Sequence, residues 1–459
     1  MVSQTRLAAN SLWMLLSRFA AQGLAVVFTI LLARRLGSAG FGEYALIATV
    51  IFAANALTTF GTDMLLIREI AATNDLSRLP YALVLQLALS ALFIGAVWAF
   101  GAWIPNQSRE AIIALKIYSL ALVPLAFFTV FTTALRGVQR MEVYASINVV
   151  FSLLQIGAVL LLRDKDIILL ASFLLAAQIM TALCAGFLCT LLVARFWQAF
   201  PLSSFPLSSF LKEAAPIAWL ALLGIIYQRL NIYLLSTLSG ATETGMYSAA
   251  FRAVEASKTA HLAVFAALYP AMAQFMSLRG GRFSRRSNLL ANDEIVSPRR
   301  RSRGWRGRHG DASSASVSVR PSESAQGYST IGLLATTYPG ILLTGAALIC
   351  LLLFLLAKPL VALLYGPEFI PSANILQILA WTLIPFTLNT YLTLSLLASN
   401  RERLVGRALA ASLLGLLVLN LWWIPAWGSE GGAWAALVAE CLQSVILLAV
   451  RHEALSNNT

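Results

Sequence analysis

Long apolar stretches separated by short polar connections run along most of the chain. Each stretch holds about 20 mostly uncharged residues, which is the length that an α-helix needs to cross a bilayer. The stretches are too long for the strands of a membrane barrel, and apolar and polar positions do not alternate within them. They predict twelve membrane-spanning helices, numbered here as spans 1 to 12, at 10–33, 42–62, 81–103, 112–134, 143–162, 167–193, 214–237, 245–273, 331–356, 372–397, 405–425 and 431–450.

The composition argues against a water-soluble protein. Of the 459 residues, 59% are hydrophobic and 12% are charged. Soluble domains carry about 25% charged residues. Because so few charged side chains cannot cover the surfaces of several soluble domains, we expect an all-α integral membrane protein.

The distribution of lysine and arginine predicts the orientation. With the N-terminus inside, 22 of these residues fall in connections on the cytoplasmic side and 6 fall on the opposite side. Cytoplasmic connections of membrane proteins carry the excess of positive charge. Both termini are therefore predicted to be cytoplasmic, which agrees with an even number of spans.

One connection, 277–329 between spans 8 and 9, holds eleven arginines and four acidic residues. Its Ser, Gly and Arg content predicts disorder, and its charge predicts contact with anionic lipid of the inner leaflet. A nucleic-acid site would need aromatic side chains for base stacking, and within Ser297–Gln326 only Trp305 supplies one. We expect no nucleic-acid partner.

The two halves of the chain contain a weak internal repeat. The stretch "LGSAGFGEYALIATVIFA" (36–53) follows span 1, and "LSGATETGMYSAAFRAVEA" (238–256) follows span 7. Both copies fall on the same predicted side, which indicates a parallel repeat about an axis along the membrane normal. We predict an N-terminal six-helix bundle (1–196), an interfacial linker (197–213) and a C-terminal six-helix bundle (214–459).

Four stretches carry a family resemblance: "RRLGSAGFGEYALIATVIFAANALTTFGTDMLLIREIA" (34–71), "LSGATETGMYSAAFRAVEASK" (238–258), "LYP" (268–270) and "LLYGPEFIPSANILQILAW" (363–381). In this order they resemble the polysaccharide-biosynthesis flippases, which translocate lipid-linked oligosaccharides for O-antigen and exopolysaccharide. The resemblance covers nearly the whole chain except the long basic connection, whereas relatives usually have a much shorter connection there.

The resemblance implies about twelve transmembrane helices in two six-helix bundles around a central cavity. It also implies movement of an undecaprenyl-diphosphate-linked oligosaccharide from the cytoplasmic to the outer leaflet by alternating access. The implied location is the bacterial inner membrane. The implied partners are the lipid-linked substrate, membrane lipids and other polysaccharide-assembly proteins.

Ionisable residues inside spans are the candidate site. They are costly in a bilayer, so they usually face a cavity or a partner. The cations predicted to bind a diphosphate are Arg18, Lys116, Arg229, Arg252 and Lys258. Arginine suits this ligand because its planar fork bonds two phosphate oxygens at once and keeps its charge.

Other roles stay open for several of these residues. Arg18 is close enough to the end of span 1 to extend its charge to the interface, and Lys116 is near the end of span 4. Arg252, Glu255 and Lys258 follow one another at three-residue spacing, so Glu255 can pair with either cation in a self-neutralised structural stripe.

Asp63, Asn231 and Glu255 are the candidates for gating or ion coupling. Relatives often carry an acid at position 231, and asparagine cannot cycle a proton, so coupling through this position is in doubt here. Asp63 is a coupling candidate or a helix-end residue facing water.

Other functions fit the sequence less well. An ion-coupled drug or metabolite antiporter, from the superfamily to which these flippases belong, would have an acidic or aromatic cavity. A membrane polymerase or ligase of polysaccharide assembly would have a large outward loop. The chain lacks a Walker A motif, the HExxH and GxSxG motifs, and histidines at metal-ligand spacing, so we expect neither catalysis nor a cofactor or bound metal.

Overall fold

The computed structural model describes residues 4–162, 165–193, 196, 207–259, 340, 342–398 and 401–456. Within these ranges every regular element is a helix. The helices are α1 (Gln4–Thr59), α2 (Thr62–Thr73), α3 (Leu79–Phe100), α4 (Arg109–Ser119), α5 (Leu122–Gly137), α6 (Met141–Leu161), α7 (Ile167–Leu192), α8 (Leu207–Leu238), α9 (241–259), α10 (Leu342–Leu355), α11 (Ala357–Tyr365), α12 (Ser372–Ala380), α13 (Leu383–Ala398) and α14 (Glu402–Ser456).

Eight helical stretches in the described ranges are long and apolar enough to cross a membrane, and α10 with α11 forms a ninth candidate bent by 69°. Two of the eight, Ala20–Thr59 and Glu402–Arg451, contain 40 and 50 residues. At about 1.5 Å per residue, each is long enough for two crossings of a hydrocarbon core of about 30 Å. With α9 as the described part of span 8, these elements account for the twelve predicted spans, and the prediction of fold class is confirmed.

Glycines make the bends in the two double-length helices. Gly37 in α1 has a φ of 73°, and Gly428 in α14 has a φ of 55°. These left-handed values favour glycine, which has no Cβ to clash. The predicted spans leave polar connections at 34–41 and 426–430. In the structure each of these connections is helical except for one residue, Gly37 in the first and Gly428 in the second.

Helices also occur where connections were expected. The α2 helix follows span 2 after Phe60 and Gly61, both of which have positive φ. The α11 helix lies between spans 9 and 10. Spans 4 and 10 are each divided by a short break, α4 from α5 and α12 from α13, so the two halves share this interruption.

The connections between paired spans meet at one end of the molecule, which we call the turn end. They are the connections at 36–41, 104–108, 162–166, 239–240, 366–371 and 425–431. Sequence analysis predicts that this end faces away from the cytoplasm.

Contacts between the halves tie the turn end together. Asn106 Nδ2 donates to the carbonyl of Thr237 (2.7 Å), and Gln107 Nε2 donates to that of Ser236 (2.9 Å). In the other direction, Glu368 accepts from the backbone N–H of Ser38 (2.7 Å). The connection between the third and fourth spans of each half therefore holds the first pair of spans of the other half.

Arginines before the Gly37 bend strengthen this arrangement. Arg34 donates through Nε to the carbonyl of Leu364 (2.8 Å) and through Nη2 to that of Leu363, at the C-terminus of α11. Arg35 donates to the carbonyl of Leu162, just after α6 (3.2 Å). Cations at helix C-termini satisfy carbonyl groups that lack partners within the helix.

The repeat glycines lie at the crossing of the two halves. A Cβ on Gly42 would overlap the carbonyl oxygen of Ala241, and a Cβ on Gly245 would overlap that of Ser38. Each oxygen belongs to the residue four positions before the opposite glycine, so the two contacts are reciprocal. This geometry is that of the parallel repeat predicted from the sequence.

The hydrophobic core shows where the halves are joined. One buried cluster takes residues from both halves, including Phe41 and Leu115 from the first and Leu235 and Tyr247 from the second. Away from the turn end, the buried clusters each belong to one half, around Leu79 in the first and Leu392 in the second. The halves are therefore packed together at the turn end and have separate cores at the opposite end.

Candidate functional site

A cavity of about 220 Å³ lies where α1, α8 and α9 meet, between the two halves. Its walls include Tyr44 and Phe52 from α1, Arg229 from α8, and Phe251 and Arg252 from α9. A second cavity of about 200 Å³ adjoins it on the other side of Arg252, with Gln22 and Thr29 in its wall. We call these two spaces the central cavities.

Two arginines that line the central cavities share one carboxylate, that of Glu255, which itself lines a third cavity in the C-terminal half. Glu255 Oε1 lies 2.9 Å from Arg229 Nη2, and its Oε2 lies 2.8 Å from Arg252 Nη1. The exposed fractions of the three side chains are 11% for Arg229, 23% for Glu255 and 32% for Arg252. With two cations and one anion, the group keeps one net positive charge.

This group lies deep in the membrane. Arg229 is nine residues before the end of α8 at the turn end, which is about 14 Å at the rise of an α-helix. Arg252 is eleven residues after the start of α9, which is about 16 Å. Both distances reach the middle of a hydrocarbon core of about 30 Å.

Polar atoms without partners face this space. Arg229 Nε and Ser248 Oγ are buried, and neither makes a hydrogen bond among the described residues. Both residues line the central cavity of about 220 Å³. Buried donors are normally satisfied, so two unused ones beside a net positive charge are suited to an anionic ligand.

Aromatic rings support the Arg229 guanidinium. Its central carbon lies 4.8 Å from the centre of the Phe52 ring and 5.9 Å from that of Phe251. Rings at these distances stabilise a cation while leaving its N–H groups free to donate. Phe52 comes from the first half and Phe251 from the second, so the guanidinium is held by both.

The sequence profile of the family described as "Polysaccharide biosynthesis protein" matches residues 7–276, which is more than half of the chain. The chain belongs to this family. The match includes every residue of the Arg229–Glu255–Arg252 group. None of the curated proteins compared with the chain matches it.

Solved structures share the fold of this polysaccharide biosynthesis protein. "Lipid II flippase MurJ, inward closed conformation" has a TM-score of 0.62 at 14% identity, covering 95% of this chain and 86% of that chain. An inward-facing multidrug resistance MATE family transporter of the MOP superfamily has a TM-score of 0.67 at 14% identity, covering 96% and 98%. A MOP superfamily transporter from Pyrococcus furiosus, described as having a binding pocket of reverse polarity, has a TM-score of 0.62 at 13% identity, covering 97% of this chain and 95% of that chain. This chain shares its fold with these three proteins.

Two of the five predicted cations, Arg229 and Arg252, lie at the central cavities. The side chain of Arg18 is outside the described residues, although its backbone lies in α1, four residues before Gln22. Lys116 lies in the last turn of α4 and lines neither central cavity.

Lys258 lines the same cavity as Glu255 but pairs with a different residue. Its Nζ lies 3.1 Å from Glu440 Oε1 of α14, while Glu255 pairs with Arg229 and Arg252. The second partner of Glu255 is thus Arg229 rather than Lys258. Glu440 was not among the sequence candidates, although an acid inside span 12 is the signal used for the others.

Of the three coupling candidates, Asn231 and Glu255 line the same cavity of the C-terminal half, whereas Asp63 lies elsewhere. Asp63 is in the first turn of α2, where a negative charge is favourable at a helix N-terminus. Asn231 is buried, and its Nδ2 donates to the Tyr247 hydroxyl (2.8 Å) and to the Gly432 carbonyl (3.0 Å). Its oxygen accepts from Asn420 Nδ2 (2.8 Å).

Among the residues that the structure describes, no group of three His, Cys, Asp or Glu side chains could hold a metal ion. The polar groups that line the central cavities are guanidinium, hydroxyl and amide groups. The arrangement can bind an anionic group and shield it from the bilayer.

Proposed function

We propose that this polysaccharide biosynthesis protein is a flippase for an undecaprenyl-diphosphate-linked oligosaccharide, moving it from the cytoplasmic to the outer leaflet. The observation that carries the proposal is the Arg229–Glu255–Arg252 group with its net positive charge and unused donors. A diphosphate must cross a zone of low dielectric constant, and buried guanidinium groups lower the cost of that passage. The family match and the fold shared with a lipid II flippase support a lipid-linked substrate.

In an alternating-access mechanism, the Arg229–Glu255–Arg252 group would bind the diphosphate of the substrate. The closed turn end and the separate cores at the opposite end support a cavity that receives substrate from the cytoplasmic side. We propose that the diphosphate then displaces Glu255 from one or both arginines. Rocking of the two halves would carry the headgroup across while the polyprenyl chain stays in lipid.

The competing functions have less support. An ion-coupled drug or metabolite antiporter is the first alternative, and a multidrug resistance transporter shares the fold. The net positive charge of the Arg229–Glu255–Arg252 group would repel a cationic substrate of such an antiporter. A polymerase or ligase would need reactive groups beside the bound sugar, and the described part of the central cavities offers arginines, hydroxyls and aromatic rings.

The proposed location is the bacterial inner membrane, with both termini in the cytoplasm. Proposed partners are the lipid-linked substrate, membrane lipids and other proteins of polysaccharide assembly. Reporter fusions at either terminus would test the orientation, and activity of an extracytoplasmic reporter at the C-terminus would contradict it.

The substrate proposal is tested by complementing a deletion strain. The readouts are surface polysaccharide and the lipid-linked oligosaccharide that accumulates on the cytoplasmic face. We expect Arg229→Ala and Arg252→Ala to abolish export and cause accumulation, because the anion loses its charge partner. Arg229→Lys should restore only part of the export, since an ammonium lacks the bidentate fork.

Lys116→Ala is the matched control, because it removes an intramembrane cation outside the central cavities. Arg18→Ala belongs in the same series, since the spacing of Arg18 from Gln22 places the two positions on one helix face. Full export by the Arg18, Arg229 and Arg252 alanine variants would contradict the cationic site.

A further inference from the structure

Within the described residues, α11 has no counterpart in the N-terminal half. It lies between the third and fourth spans of the C-terminal half and contains nine residues. The corresponding connection of the first half holds one short helical turn, Gly101–Trp103, and continues through 104–108 to α4. Because the repeat joins the same two spans without such a helix, the topology alone does not require α11.

The chain changes direction at both ends of α11. The helix is bent by 69° from α10, with only Leu356 between the two. Gly366 follows α11 with a φ of 95°, a value that favours glycine. Hinges are formed by a few residues at the ends of elements, which absorb changes in φ and ψ. The two joints therefore let α11 turn as a rigid unit.

The two sides of α11 have different surroundings. Leu360, Leu364 and Tyr365 line the smaller of the central cavities, of about 200 Å³. On the other side Leu363 is 72% exposed, and Lys358 is also exposed. Exposed apolar side chains accompanied by a lysine are typical of a helix that lies in a bilayer interface. At the turn end, α11 therefore separates this cavity from the adjoining leaflet.

The cavity behind α11 extends to the depth of the buried arginines. Thr29 in its wall lies eight residues before the Gly37 bend, about 12 Å from the turn end along α1. Arg252 lines the same space at a depth of about 16 Å along α9. Val26 and Leu353 give the wall an aliphatic surface. The space therefore leads from the proposed diphosphate site to the inner side of α11 along a path suited to a hydrocarbon chain.

Arg34 of α1 attaches the C-terminus of α11 to the N-terminal half. Its Nε donates to the carbonyl of Leu364 (2.8 Å), and its Nη2 donates to that of Leu363. The fork of a guanidinium fixes the position of two acceptors at once. Because Arg34 is exposed, water can take over these bonds, so the attachment can be released at a small cost.

We propose that α11 is a lid that closes the smaller central cavity towards the outer leaflet and that Arg34 holds it closed. When α11 turns about Leu356 and Gly366, the lipid chain of the substrate passes from the cavity into the outer leaflet. This inference deepens the proposed function, on which it rests for the identity of what passes. The movement of α11 itself can be measured without any substrate.

The movement is tested with a thiol on the inner side of α11. In a variant lacking the four native cysteines, Leu360→Cys is labelled in spheroplasts with a membrane-impermeant cationic methanethiosulfonate. We expect slow labelling when Arg34 is present and several-fold faster labelling with Arg34→Ala, because α11 loses both bonds to α1. Arg35→Ala is the matched control. Arg35 is also exposed at the turn end but donates to the carbonyl of Leu162 in its own half, so its loss should leave the rate unchanged.

A second thiol distinguishes a lid from a general opening of the turn end. Ser248→Cys lies in the larger central cavity, closer to the crossing of Gly42 and Gly245. Arg34→Ala leaves that crossing intact, so the labelling of Ser248→Cys should not change. Faster labelling at both thiols would mean that Arg34 joins the two halves rather than holding α11, and would overturn the proposal.

The role of the lid in export is tested by locking it. Arg34→Cys/Leu363→Cys is joined by a short bifunctional methanethiosulfonate, and complementation of the deletion strain is followed as above. We expect the joined protein to lose export and a reductant to restore it, whereas either single variant treated with the same reagent keeps exporting. Export by the joined protein, or equal labelling of Leu360→Cys with Arg34 and with Arg34→Ala, would overturn the proposal.

The two proposals fail in different ways. Full export by the Arg229 and Arg252 alanine variants would contradict the flippase site but would leave the labelling of Leu360→Cys unaffected. Unchanged labelling of Leu360→Cys would remove the lid and leave the arginine site in place.

Discussion

Asn231 satisfies three hydrogen-bonding groups in the interior of the C-terminal half, at the position where an acid was considered from the sequence. Its amide donates to Tyr247 and Gly432 while its oxygen accepts from Asn420. An aspartate would keep the bond from Asn420 but would place a carboxylate oxygen against the Gly432 carbonyl. The asparagine is therefore required as a donor.

We predict that Asn231→Asp lowers the free energy of unfolding by about 1–3 kcal/mol, the usual cost of leaving a buried polar group unsatisfied. Chemical or thermal unfolding of the purified variant measures this loss. Asn374→Asp is a suitable control, because Asn374 is exposed at the turn end and makes one long bond to Glu430 (3.5 Å). A variant of unchanged stability that became cation-dependent would instead identify position 231 as an ion site.

Sequence reasoning identified individual charges better than their pairings. Arg229, Arg252 and Glu255 were found because ionisable residues are rare in apolar spans. Their arrangement could not be derived, since Arg229 and Glu255 are 26 positions apart and lie on different helices. The Lys258–Glu440 contact joins positions 182 apart, and only the packing of α9 against α14 brings these residues together.

At the scale of helices, the crossing of α1 and α9 depends on the absence of two side chains. Gly42 and Gly245 allow backbone to touch backbone, as small residues do between membrane helices. We predict that Gly42→Ala separates the halves at the turn end and abolishes export. Gly157→Ala is the control, because a Cβ there meets no atom within 4 Å.

The separation of the two halves at the turn end can be measured by the labelling rate of a cysteine in the central cavity. In a variant lacking the four native cysteines, Ser248→Cys places a reporter in the central cavity. A membrane-impermeant maleimide added from outside should react slowly with this reporter alone, and several-fold faster when Gly42→Ala is also present. Equal rates would mean that the crossing does not close the turn end.

Glu368 is the second feature, after the Gly42–Gly245 crossing, that keeps the turn end closed. Hydrogen bonds from the backbone and side chain of Ser38, together with the charge of Lys165, hold the pKa of Glu368 below its ordinary value. The folded protein therefore favours the charged form. The stabilisation is fully present above the ordinary carboxyl pKa of about 4.3 and is lost as the pH falls through the lowered value.

Two results follow for the Ser248→Cys reporter. Its labelling from outside should be constant between pH 6 and 8 after correction for thiol ionisation, because Glu368 stays charged throughout. Glu368→Gln should raise the labelling rate at neutral pH, since a neutral acceptor binds the Ser38 N–H less strongly. Glu430→Gln, another exposed carboxylate at the same end with its partner in its own half, should leave the rate unchanged.

The extents of the helices were only partly predictable. The length of the apolar stretches predicted the membrane-spanning segments, because each segment needs about 20 apolar residues to cross a bilayer. It could not predict that Gly37 and Gly428 would replace whole connections, since a bend of one residue depends on contacts from Glu368 and Glu243 in other elements. The helix α2 was missed because its polar residues resemble those of a loop.

At the scale of the whole molecule, the family match ends at residue 276, just before the arginine-rich connection at 277–329. That connection lies outside the described residues, so its predicted disorder and lipid contact stay predictions, as do the linker at 197–213 and the bundle boundaries. We predict that replacing 280–326 by a short Gly/Ser linker leaves export intact. Complementation of the deletion strain measures this, and a loss of export with normal membrane insertion would contradict it.

The reciprocal contact at Gly42 and Gly245 has the form of an isologous interface, in which a surface meets its own copy across a twofold axis. Homodimers make such contacts between separate chains, and here one chain makes it with itself. Both contacts lie at one crossing of α1 and α9, so a Cβ at either glycine would force the same two helices apart. Once alanine at one glycine has separated the helices, alanine at the other should therefore cause a smaller further loss of export. The effects of the two substitutions should not be additive.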